Sequence, residues 1–219
     1  MSESLIVLAV LVLGFCYLPV RRSFEKTRPE FLHISTCALR AAAPGVNTRW
    51  VVTGMMGSGK STLAAALSEL LGTPHIEIDL ISPEAAIHAA IEADPNNGWV
   101  AEANPWQIPP SIWSKADIVL ILDYDNTVNY LRLLSRGFKR CRSSGSTWKA
   151  FREHVVEKAI KDWCLIVYLH GNSNRAGWRK HGIGGPEVDL SSAVIITCFS
   201  PAEVRILLKY LSREIQATK

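Results

Sequence analysis

Gly54, Gly59, Lys60 and Ser61 stand in the spacing G-x-x-x-x-G-K-[ST], within RWVVTGMMGSGKSTLAAALSELL at residues 49–71. A strand-forming run over Trp50–Thr53 leads into a glycine-rich turn, and an apolar-periodic helix follows from Lys60. The main-chain amides of such a loop can all point at one anion. Gly54, Gly57 and Gly59 lack a Cβ, so the backbone can wrap closely around a polyphosphate. The unpaired N–H groups and the dipole at the helix start then favour negative charge. Gly54, Met55, Met56, Gly57, Ser58, Gly59, Lys60, Ser61 and Thr62 are therefore the candidate binding set, with Lys60 neutralising phosphate oxygens and the Ser61 hydroxyl ligating magnesium. The bland alternative is a glycine-rich turn that binds nothing.

Three carboxylates fall at expected strand ends. His75–Ile78 alternates as a strand and delivers Asp79 to its carboxyl end, the edge where open parallel sheets bind ligands. Asp79 either orients an acceptor hydroxyl or helps bind magnesium, with capping of the following turn or helix as the bland alternative. Trp99–Ala103 is a short strand containing Glu102, and Asp117–Asp123 is a continuous apolar run ending in Asp123. Such runs mark strands buried on both faces. Either Glu102 or Asp123 is the magnesium-side carboxylate, and spacing alone does not choose.

A helix is expected over Asn126–Arg142. Leu131, Leu134 and Phe138 form its core stripe, while Arg132, Arg136 and Arg140 repeat at i, i+4 and i+8 on another face. Those cations suit clamping of phosphate oxygens during transfer. A solvated basic face and a membrane-surface patch are the alternatives. Gly137 and the serines of 143–146 would let the segment close as a lid.

The elements that must position these groups are those of one α/β domain, expected over residues 48–219. Gly72 and Pro74 stop the first helix, and Pro83–Ala93 is a second, alanine-rich helix. Trp148–His170 has fourfold apolar spacing and reads as one helix, with Cys164–Leu169 alone also readable as a strand; Gly171–Pro186 reads as a solvated loop, and Ala193–Phe199 is the last strand. Ser200, Pro201 and Glu203 make a capping box for the final helix. The formal charge of +4 argues for small anions or headgroups and against a nucleic-acid footprint. The five scattered cysteines form no C-x-x-C pair, which fits a reducing compartment and no zinc cluster.

At the amino terminus, Leu5–Leu18 is an uninterrupted apolar run covering about 21 Å as a helix, against a hydrocarbon core of about 30 Å. Glu3 precedes it and Arg21, Arg22, Lys26 and Arg28 follow, which keeps the carboxyl side in the cytosol. Residues 1–22 are thus expected to be a membrane-anchor helix, with a cleaved leader or a docking helix as alternatives. Residues 23–47 read as a linker with a short helix near Phe31–Ala43.

The succession G-M-M-G-S-G-K-S-T-L-A, I-E-I-D, W-V-A-E-A-N, A-D-I-V-L-I-L-D and L-R-L-L-S-R-G-F-K-R-C-R resembles the adenylate-kinase-like P-loop proteins, nearest the branch called DNA topology modulation protein or predicted kinase. The likeness covers about residues 49–142. It implies a P-loop NTPase three-layer α/β sandwich with a five-stranded parallel sheet, to which this chain adds its amino-terminal apolar helix. It also implies lid arginines at Arg136 and Arg140 that close over ATP, and an acidic acceptor-side residue at Asp79. This chain has Glu102-Ala103-Asn104 where the relatives carry Asp before Gly-Asn.

Together these features point to an ATP- and magnesium-dependent kinase acting on a small hydroxyl- or phosphate-bearing acceptor, a nucleoside or nucleotide. Lys60, Asp79, Arg136 and Arg140 are its expected catalytic residues, and Ser61 and Glu102 its expected magnesium ligands. No N-K-x-D or D-x-x-G sequence occurs, which disfavours a GTPase. The alternatives are a simple ATPase with Asp123 as its metal-side carboxylate, and a membrane-tethered nucleotide-binding module without kinase activity.

Overall fold

The structure is a computed structural model. It describes residues 47–81, 84–92, 98–124, 128, 129, 132, 133, 135, 136, 139, 190 and 192–218. The expected anchor helix at 1–22, the linker up to residue 46, the helix at 148–170 and the loop at 171–186 lie outside the described residues. Among the described residues no helix is long and apolar enough to cross a membrane.

Five strands form one parallel sheet: β1 (Arg49–Gly54), β2 (His75–Glu77), β3 (Trp99–Ala103), β4 (Ile118–Leu122) and β5 (Val194–Cys198). Their order is β2-β3-β1-β4-β5, so the strand that leads into the glycine loop is central. Strands buried on both faces favour unbroken apolar sequence over alternation, and β4 (IVLIL) is buried at every position. Parallel neighbours require crossovers, here carried by α1 (Lys60–Leu71), α2 (Glu84–Glu92) and the one-turn helix α3 (Pro110–Trp113); α4 (Pro201–Thr218) follows β5.

The helices cover both faces, giving the expected three layers. Leu63, Ala64, Leu67 and Leu71 of α1 lie on one helical face and pack with Leu207 and Leu211 of α4 against Trp50, Val52, Leu120 and Ile196. On the other face, Ile87 and Ile91 of α2 and Ile112 and Trp113 of α3 pack against Val51, Ala101, Val119 and Ile121.

The terminal signals read from the sequence act as expected, with two shifts. Gly72 ends α1 at φ 70°, its N–H donating to the Ser68 carbonyl at 2.8 Å. At α4 the Glu203 N–H donates to the Ser200 hydroxyl at 3.3 Å, but the Glu203 carboxylate accepts the N–H of Phe199, one residue before the cap, at 2.8 Å. Strand β2 stops at Glu77 instead of Ile78, because Ile78–Leu80 turns into a single 3-10 turn closed by the Ile81 N–H on the Ile78 carbonyl.

Arg49 and Asp117 tie the starts of β1 and β4 together. Arg49 donates from Nε, from its terminal NH2 and from its backbone N–H to the Asp117 carboxylate, at 2.9, 2.6 and 2.8 Å. Partial burial pushes the Asp117 pKa up, but the hydrogen bonds and charge of Arg49 outweigh it and hold the carboxyl below its ordinary value. A carboxyl depressed on folding contributes stability that is present above its unfolded pKa, near 3.9, and lost as pH falls through the folded value. Asp117→Asn should therefore flatten the acid limb below about pH 4, by no more than about 1 kcal/mol because the pair is more than a third exposed. Urea titrations of both proteins at pH 7 and pH 3 read the difference.

Candidate phosphate-binding site

The loop between β1 and α1 runs from Gly54 to Gly59. Inside it the Ser58 N–H donates to the Met55 carbonyl at 3.1 Å, and the Leu63 N–H reaches the Gly59 carbonyl at 3.0 Å to begin α1. Two glycines are required by space as well as by conformation. Gly57 has φ 80°, and a Cβ there would lie 2.5 Å from the Asn129 backbone oxygen. Gly59, the N-cap of α1, has φ 92°, and its Cβ would meet the Arg132 guanidinium at 3.0 Å. Met55 is buried in the core and Met56 packs against it, so the loop presents backbone at these positions more than side chain. Ser61 and Thr62 are exposed on the first turn of α1.

Lys60 is only 8% exposed. Its Nζ donates to Asn104 Oδ1 at 3.1 Å and to the Met55 carbonyl at 3.4 Å, which holds the ammonium across the loop mouth. Burial pulls its pKa down, while Glu102 and Asp79 pull it back up. Asn104 is itself held, since its side-chain amide donates to Gln107.

The sheet register sets the acids. Glu77 and Glu102 are register partners on adjacent strands, so both project to the α1 side. Glu102 is 3% exposed; its carboxylate accepts the Ser61 hydroxyl, while Oε2 has no partner among the described residues. Burial raises its pKa against the pull of Ser61 and Lys60. Asp79, in the 3-10 turn after β2, accepts the Asn104 N–H; burial raises its pKa, with Lys60 opposing. Of the two carboxylates that spacing left open, Glu102 lies beside Ser61. Asp123 is buried at the end of β4, where its N–H donates to the Cys198 carbonyl at 3.0 Å.

The Ser61 hydroxyl and the orphaned Glu102 oxygen are hard donors that suit magnesium, which keeps water and binds through one or two carboxylates together with phosphate. Among the described residues no group of three or more His, Cys, Asp or Glu is placed to hold a metal alone. Cys198 is buried, and burial with the nearby Glu203 pushes its thiol up to about 12, so it is no nucleophile.

Among the described residues, Arg132 also touches the loop. Its NH1 donates to the Ser58 carbonyl at 2.7 Å, and the guanidinium lies 5.7 Å from the centroid of the Tyr124 ring. Arg136 is exposed on the same helical stretch, and Arg140 lies outside the described residues. The available signal was position: Arg132 is the member of the arginine stripe closest in sequence to β4 and hence to the sheet's carboxyl edge.

Strand order, a glycine loop after the central strand and a lysine at the helix start define a P-loop α/β fold. No family model and no curated protein matches the chain. Similar solved structures include a gluconokinase from Sinorhizobium meliloti, 17% identical over 80% of this chain and 97% of that one, with a TM-score of 0.36. A shikimate kinase from Bacteroides thetaiotaomicron is 15% identical over 76% and 96%, TM-score 0.37. A sugar kinase from Janibacter sp. is 13% identical over 77% and 98%, TM-score 0.37. With identities and TM-scores this low, the fold class rests on the strand order and the loop.

Proposed function

We propose that this protein transfers a phosphoryl group from ATP to a small acceptor bearing a hydroxyl or a phosphate, of the nucleoside or nucleotide kind, in the manner of the adenylate-kinase-like enzymes. One observation carries the reading: Lys60 is buried at the mouth of a glycine loop, with Asn104, Glu102 and Asp79 around it and a hydroxyl–carboxylate pair, Ser61 and Glu102, alongside. An ammonium held in a partly desolvated site beside main-chain amides is an electrostatic preorganisation for developing phosphate charge.

In this reading the backbone of 54–62 holds the triphosphate and Lys60 exchanges its Asn104 and Met55 contacts for phosphate oxygens. Ser61 and Glu102 would hold magnesium, which supplies charge neutralisation and orientation. Asp79 accepts the hydrogen bond of the attacking hydroxyl and aligns it. Arg136 and Arg140 approach from the helical segment after β4 as it closes. Placement and electrostatics then account for most of the rate, as phosphoryl transfer has little covalent chemistry for the protein to perform. The run at residues 5–18 would tether the chain to a membrane with this domain in the cytosol; release from membranes by carbonate would refute the tether.

The test incubates the full chain with radiolabelled ATP, magnesium and a panel of nucleosides, nucleotides and sugars. Labelled acceptor is the expected product. Free phosphate formed equally without acceptor would instead mark an ATPase, and saturable ATP binding with neither product a nucleotide-binding module.

Arg132 gives a sharper expectation. Its guanidinium stands over Gly59 and the Ser58 carbonyl, where a polyphosphate would meet it. Arg132→Ala should weaken ATP binding about tenfold, the worth of one hydrogen bond to a charged group. Calorimetry on both proteins reads the change, and Arg132→Lys should restore only part of it, because lysine lacks the planar fork.

A further inference from the structure

We infer that Gln107 is a positioning residue for Lys60, acting through Asn104; the inference rests on the reading of the loop as an ATP site. An ammonium has donors alone, so the Asn104 amide can receive Lys60 only through Oδ1, at 3.1 Å. Its Nδ2 then faces away and needs an acceptor, which Gln107 Oε1 supplies. Turning the Asn104 amide end for end would set its NH2 against the ammonium and its oxygen against the Gln107 oxygen. The glutamine therefore selects the end of Asn104 that Lys60 meets.

That choice matters because of what surrounds the ammonium. Lys60 is 8% exposed, and Asp79 and Glu102 both attract it. Among the described residues it is ion-paired with neither, and both its hydrogen bonds go to neutral oxygens, Asn104 Oδ1 and the Met55 carbonyl. Hydrogen bonds between two charged groups are about twice as strong as neutral ones. An ammonium held by neutral oxygens thus passes to a phosphate more readily than one already paired with a carboxylate. Without the Asn104 oxygen, Lys60 would fall to Glu102 or Asp79, and the triphosphate would have to break that pair.

The glutamine side chain is not needed to build its own turn. Pro105–Gln107 is closed by the main chain, the Gln107 N–H donating to the Asn104 carbonyl at 2.9 Å, and it is seated by the buried Pro105 and Ile108. Gln107 itself is exposed. Its side chain adds to this turn the contact that orients Asn104.

The experiment measures ATP binding to the full chain with magnesium by calorimetry. Gln107→Met, which keeps the length and loses the oxygen, should weaken binding about tenfold, the worth of one hydrogen bond to a charged group. Gln107→Glu keeps an acceptor facing Asn104 and should stay within about twofold of the parent, the usual range for a surface substitution. Affinity in Gln107→Met equal to or tighter than the parent's, or an equal loss in Gln107→Glu, would overturn the inference. A double-mutant cycle separates positioning from a merely structural role: Gln107 and Lys60 are joined only through Asn104, so Gln107→Met should cost nothing further in a Lys60→Ala background. Losses that add in the double variant would overturn the inference. ATP bound without transfer to any acceptor would remove the kinase reading alone, and the binding cycle would still decide this one. A parent protein that binds no ATP would overturn both.

Discussion

Lys60→Ala should cut phosphoryl transfer about 1,000-fold, the upper range for deleting one preorganised electrostatic contact to a developing anion, while the domain stays folded. Two features set the size. The ammonium is buried and desolvation lowers its pKa, so its charge acts in a medium that screens it weakly. It also bridges the loop carbonyl of Met55 and the Asn104 side chain, so it arrives already aimed across the mouth. Removing it leaves Glu102 and Asp79 without the cation that offsets them, which adds repulsion toward a triphosphate to the lost attraction. Single-turnover transfer assays together with circular dichroism separate this from unfolding. A variant that transfers at the parent rate would remove Lys60 from the chemistry.

The largest stability effect should come from Trp113→Ala. Trp113 is fully buried, one turn after Pro110, and fills the layer between the sheet and α2 together with Ile112, Ala116 and Val119. Emptying such a site costs about 3–5 kcal/mol through lost burial and an unfilled cavity. The indole Nε1 has no hydrogen-bond partner among the described residues. An unmet buried donor costs about 1–3 kcal/mol. The loss should therefore lie at the lower end, near 3 kcal/mol, and Trp113→Phe, which deletes the donor and keeps much of the volume, should cost clearly less. Urea midpoints followed by circular dichroism test both, and equal losses in the two variants would show that the volume kept by phenylalanine contributes nothing.

Much of the framework was legible because its signals are local. The apolar runs of β1 and β4 leave no alternative to strands buried on both faces, and the glycine spacing fixes a loop whose backbone conformation few residues other than glycine adopt. What escaped the sequence depends on contacts between distant segments. The 3-10 turn that shortens β2 holds Asp79 against the Asn104 N–H, a partner two elements away. Glu102 lies next to Ser61 through the pairing of β3 with β1, while Asp123 follows β4 on the other side of β1; spacing along the chain carries no information on either adjacency. Arg132 was visible as one of three arginines on a helical stripe. That it lies against Ser58 follows from how the helical segment docks on Gly57, where the Asn129 carbonyl leaves no room for a Cβ.

The turn at Pro105–Gln107 and the short α3 carried no periodicity to read, being only 3 and 4 residues long. Their role is nonetheless clear in the structure: the first supplies Gln107 to hold Asn104, and the second supplies Trp113 to the core.

The most direct measurement is titration calorimetry of the full chain with ATP and magnesium. Saturable heat is predicted, displaced by other nucleoside triphosphates and strongly reduced in Lys60→Ala. A folded protein that gives no heat with any nucleoside triphosphate, and no competition between them, would contradict the assignment of the loop at 54–62 as a phosphate cradle.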